Sequence, residues 1–134
     1  MNKLLNIISV SLYITCGSVS VAQDQQNVML ADLAIPLMDG TVENLEAALL
    51  FDSPDGRIIN AEANGAVAAG EVYQYYQAVL PSLGWNVSQD LSSGMACENN
   101  STFCMMAVRE EENLTLNIEV NNSSSRITYA LSPN

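Results

Sequence analysis

One stretch of this 134-residue chain repeats its apolar residues at helical spacing. Val72, Tyr76, Val79, Leu80 and Leu83 fall at i, i+4, i+7, i+8 and i+11, on one face of a helix. Asn64-Gly65 breaks the chain before that stretch, and Pro81 and Gly84 bring it to a close. Trp85 follows, where a large ring can cover the helix end and anchor it to a sheet. The rest of the patterned sequence reads at strand spacing. A chain with one amphipathic helix among strands must lay that helix across a sheet face, so the predicted fold is α+β.

The clearest hairpin precedes the helix. Residues 47–52 and 57–63 flank Ser53-Pro54-Asp55-Gly56, which suits a type I turn with proline fixing φ and glycine closing it. After the helix, strands are expected at 85–89, 94–97, 103–109, 114–120 and 127–131. The turns between them fall at 91–94, at Glu111-Glu112-Asn113 and at 121–125. Leu114, Leu116, Ile118 and Val120 alternate with Thr115, Asn117 and Glu119, so one sheet face is buried and the other wet. The expectation is a single antiparallel sheet of about five to seven strands in β-β-α-β-β-β-β order, with one main helix on one face. Roughly 110 residues suffice for one core.

The N-terminal region reads as an export signal. Lys3 supplies a positive start, an apolar stretch runs over residues 4–14, and Val19-Ser20-Val21-Ala22 offers a small-residue cleavage site. The apolar stretch falls short of the roughly 20 residues that span a bilayer. Cys16 suggests lipidation, but Thr15 stands where a small glycine or alanine is expected, which argues against it. The expected organisation is a signal peptide over residues 1–22, a flexible polar segment over 23–33, and one domain over 34–134, in the periplasm or secreted. Residues 34–46 read as an extended lead-in and a turn at Asp39-Gly40. Export leaves Cys97 and Cys104 as an even pair flanking a turn-forming cluster, and they are expected to form one structural disulfide.

Charge removes whole classes of chemistry. The chain has fifteen acidic residues, four basic residues and no histidine. Lys3 is the only lysine, so cleavage after Ala22 leaves three arginines against fifteen acids, a net charge of −12. Such a chain has no imidazole base or ligand and no Schiff-base lysine, and it lacks the basic patch that nucleic acid requires. Carboxylate chemistry is the main catalytic route left open. No catalytic residue, metal site or cofactor is assigned.

Three groups are candidates for function. Asp52 and Asp55 flank the Ser-Pro turn and could hold a hard cation, but turn chemistry explains them and Arg57 would repel the ion. Glu110, Glu111 and Glu112 form the densest charge run, read as a solvated hairpin tip. Neighbours in a strand face opposite ways, so a carboxylate pair would need a second member such as Glu62 or Glu119. Tyr73 and Tyr75 lie at the edges of the helix's apolar face and, with Trp85, make the candidate binding surface. Arg109 and Arg126 are expected to pair with carboxylates.

Phe51-Asp-Ser-Pro-Asp-Gly-Arg-Ile58, Ala61, Gly65, Tyr76, the run Leu80-Pro-Ser-Leu-Gly-Trp85, and Arg109-Glu110 with Leu114 resemble a family of uncharacterised small exported proteins of alphaproteobacteria. The resemblance covers roughly residues 35–133 and implies a small exported domain with no assigned activity. The expected function is a non-enzymatic envelope protein acting as a small module that binds another protein. The alternative is a carbohydrate- or peptidoglycan-active protein using carboxylates and aromatics, and weak Ca²⁺ binding by the acidic surface is a third.

Overall fold

The computed structural model describes residues 30–88 and 101–134. The chain forms β1 (Thr41–Glu43), a 3-10 turn (Leu45–Ala47), β2 (Leu49–Ser53), β3 (Gly56–Gly65) and α1 (Ala69–Ser82). These are followed by β4 (Asn86–Ser88), β5 (Phe103–Arg109), β6 (Glu112–Asn121) and β7 (Ser124–Pro133). One seven-stranded sheet runs in the order β1-β3-β7-β6-β5-β4, with β2 pairing β3 on the edge that it shares with β1. Every pairing is antiparallel. The α+β fold with one helix on the sheet is therefore as expected. Among the described residues, no helix is long and apolar enough to cross a membrane.

Alternation in the strands places the core. Ile59, Leu131, Leu114 and Ala107 stand in one cross-strand row, and Ala61, Tyr129, Leu116 and Met105 in the next. Ala63, Ile127 and Ile118 make a third, and all these side chains are buried. α1 covers this face with Ala69, Val72, Tyr76 and Leu80, its four buried residues. Val79 and Leu83, also predicted for that face, are half-buried.

The end of α1 shows why the run Leu80 to Trp85 folds as it does. Trp85 N–H donates to the Leu80 carbonyl at 3.1 Å, and Gly84 N–H to the Pro81 carbonyl at 3.1 Å. This is the Schellman arrangement, which needs a left-handed residue after the cap. Gly84 supplies it with φ +86°. Leu80 and Trp85, the two residues that the motif brings together, are both buried.

The core begins before the boundary expected at residue 34. Leu30 and Leu33 are 0% and 1% exposed and belong to the core cluster with Ile35 and Leu37. A tyrosine relay fastens this segment. Tyr129 and Tyr76 hydroxyls are 2.7 Å apart, and Tyr76 donates to the Pro36 carbonyl at 3.1 Å. Burial pushes the Tyr76 hydroxyl up to about 12 and moves Tyr129 further in the same direction.

Other boundaries also shift. The return strand expected over 57–63 runs two residues further, and Asn64-Gly65 are the last two residues of β3. A Cβ on Gly65 would sit 2.2 Å from the Gly40 carbonyl oxygen, so only glycine allows β1 to approach. β1 was missed because three residues are too few to show alternation. The second turn lies at Glu110-Glu111, not at Glu111-Glu112-Asn113, since Arg109 pairs with Glu112 in register. Glu110 adopts φ +52° there. Gln89 and the strand expected over 94–97 lie outside the described residues.

Candidate functional site

Two turns that are far apart in sequence meet at one end of the sheet. The β2–β3 turn brings Asp52 and Asp55, and the β5–β6 turn brings Glu110, Glu111 and Glu112. Together with Arg57 and Pro133 they line an open cleft of about 620 Å³. Residues judged separately in the sequence thus share one surface. The run of three glutamates is not a uniformly solvated tip, because Glu112 is the first residue of β6 and is held from two sides. Arg57 Nε donates to its Oε1 at 2.8 Å, and Arg109 Nη2 to its Oε2 at 3.2 Å. The Arg57 bond is the main reason that the Glu112 carboxyl lies below the ordinary carboxylate range, with Arg109 adding to it. Arg57 also reaches the Asp32 carbonyl at 3.3 Å, tying in the N-terminal segment.

That electrostatic arrangement suits a brace better than a catalyst. A general acid in glycoside hydrolysis needs a raised carboxyl pKa, and Glu112 is displaced the other way. Among the described residues, no aromatic ring lines the cleft. Among the described residues, no three His, Cys, Asp or Glu side chains are grouped to hold a metal ion. Glu62 also lies low, because Asn64 and Asn44 each donate to its Oε1 at 3.0 Å. It clamps the chain between β1 and β2 and does not face Glu112 across a cleft. Glu119 pairs with Arg126, so both arginines expected to find carboxylates do so.

The expected aromatic surface is not a surface at Trp85, which is 2% exposed. Helix closure turns its ring inward, and the Arg109 guanidinium stacks 4.2 Å from the ring centroid. Its indole N–H has no acceptor among the described residues. Tyr73 and Tyr75 are half-buried as helix-edge residues, but each leans on another ring. Tyr73 lies 5.4 Å from Phe103, and Tyr75 lies 4.9 Å from Tyr76. The three residues do not form one platform. Cys104 is buried on β5, while Cys97 lies outside the described residues.

Most of the exposed large apolar side chains lie at the opposite edge of the sheet, where nothing was expected from the sequence. Val42, Leu45, Leu49, Leu50 and Phe51 are 73%, 68%, 55%, 51% and 58% exposed. β2 carries Leu49 and Phe51 toward one sheet face and Leu50 toward the other, opposite Ile59. Among the described residues β2 pairs with β3 alone, which leaves its outer edge open. A shallow hollow of about 290 Å³ lined by Leu37, Thr41, Val42, Glu43 and Leu45 continues the patch along β1. The missed signal was the run Leu49-Leu50-Phe51: three apolar residues in succession cannot all face a one-sided core. Comparison of the chain with protein-family models, curated proteins and solved structures finds no match.

Proposed function

We propose that the protein is a non-enzymatic, exported envelope domain that acts by binding another protein, and that it docks through the edge formed by β1 and β2. One observation carries this reading: five large apolar side chains between residues 42 and 51 are each more than half exposed. Large apolar side chains gathered in the open along one sheet edge mark interaction sites on small domains. The excess of acids supports solubility and turns away anionic partners. Export through residues 1–22 and a Cys97–Cys104 bridge belong to the same reading, since a staple of that kind suits an oxidising compartment.

Affinity capture from the native envelope tests it, using the wild-type chain beside Phe51→Ser. The expected result is a reproducible protein partner that the variant loses. A partner retained equally by the variant overturns the assignment of the edge. Mass spectrometry with and without reductant tests the bridge, and two alkylatable thiols in the native protein would refute it.

A further inference from the structure

We infer that the occupant of this edge is an extended peptide segment that adds to β2 as a further strand, apolar in its centre and carrying cationic residues at its ends. The inference rests on the docking reading above and specifies the partner's chemistry.

The backbone supplies the first part. β2 is hydrogen-bonded to β3 on one side, so every second residue of β2 turns its N–H and C=O away from the sheet. A strand edge with unpaired groups is a template for another chain, and main-chain bonds can provide the affinity. Proteins usually blunt such an edge with lysine, proline or a bulge. Here the run Leu49-Leu50-Phe51 is uncharged, and the proline stands beyond it in the turn.

The side chains supply the second part. Leu50 lies on the helix side of the sheet and Leu49 and Phe51 on the other, so an added strand meets apolar groups on both its faces. Alternating apolar and polar residues would leave one of these faces unmatched. A run of consecutive apolar residues matches both.

Charge settles the ends. Glu46 precedes the apolar run, and Asp52 and Asp55 follow it, all exposed. The three ion pairs among the described residues use Glu112 and Glu119 as their acids, and Arg57, which faces Asp52 across the β2–β3 pairing and feels its charge, is already engaged by Glu112. Carboxylates therefore stand at both ends of the strand, complementary to a segment with a lysine or arginine at each end. The same acids oppose a second copy of this chain, whose β2 would bring its own carboxylates to the contact.

A labelled peptide of four valines or isoleucines flanked by lysines, titrated into the full domain, tests the inference by fluorescence anisotropy. Saturable binding is expected, at least tenfold weaker when alternate peptide amides are N-methylated and at least tenfold weaker when glutamates replace the lysines. Amide exchange should slow within residues 49–53. N-methylated peptide binding equally well overturns strand addition, and a glutamate-flanked peptide binding equally well overturns the charge assignment. Failure of the peptide to bind, or a dimer closed through β2 in sedimentation, overturns the inference as a whole. If the peptide fails while capture still depends on Phe51, the docking reading stands and the strand chemistry falls. If capture ignores Phe51, the docking reading falls as well.

Discussion

The two edges of the sheet are built from opposite materials. At one, among the described residues, β4 pairs with β5 alone, and the residue before it, Trp85, is buried beneath the end of α1. At the other, β2 is five residues long and presents Leu49, Leu50 and Phe51 to solvent. The first edge spends its large apolar group on the core. The second keeps its apolar groups outside, where they add little to folding. An apolar strand edge left open invites pairing with another chain. The contrast separates residues that stabilise the domain from residues that are available to a partner.

Truncating Trp85 should give the largest effect. Trp85→Ala removes a buried ring and the surface on which Arg109 stacks, and should cost about 3–5 kcal/mol by denaturant unfolding. A cost near zero would mean that the α1–β4 side is not what holds the domain. Gly65→Ala should rank second, because its Cβ would collide with the backbone of Gly40 and force β1 away from β3. About 1–3 kcal/mol is expected for overpacking of this kind, with faster amide exchange over 41–43. Unchanged exchange there would show that β1 does not depend on that close approach.

The brace joining the two hairpin ends is expected to contribute less, and its contribution depends on pH. Folding lowers the Glu112 carboxyl pKa from its ordinary 4.5, so the folded state favours the ionised form. The stabilisation is present above the ordinary value and lost as pH falls through the lower folded value. Wild type should therefore exceed Glu112→Gln in urea midpoint at neutral pH and converge with it as the pH falls through that lower folded value. A gap that persists or widens in acid would contradict the ion-pair account. Phe51→Ser should have the smallest effect on stability, within about 0.5 kcal/mol of wild type, as expected for exposed side chains. A loss comparable to that of Trp85→Ala would erase the distinction between the edges.

Much of the domain was readable along the chain because the signals involved are local. The helical face needed only the spacing from Val72 to Leu83, and the helix stop needed Gly84, while Pro81 lies inside the last turn of α1. The strand at 103–109 coincides with β5, and the alternation from Leu114 to Val120 falls within β6. Errors arose where a residue's role depends on a distant neighbour. Glu112 looked like part of a solvated run because Arg57 lies 55 residues away in sequence. Leu30 and Leu33 were read with the polar segment over 23–33 because the core residues that they join lie far along the chain. Trp85 was assigned both to anchoring the helix and to a binding surface, and burial selects the first.

By itself the amino-acid sequence determined the α+β class, the single helix, the acidic character and the absence of imidazole and, after the proposed cleavage, of lysine chemistry. These follow from composition and from periods that repeat within a few residues. Tertiary structure decided which acids are braced, which aromatics are sealed in, and that an apolar strand is left uncovered at one edge. Those properties depend on sheet order, because β2 is exposed through lying beside β3 at the margin and not between two strands. Position in a sheet is set by pairings between distant segments, which a local pattern does not encode.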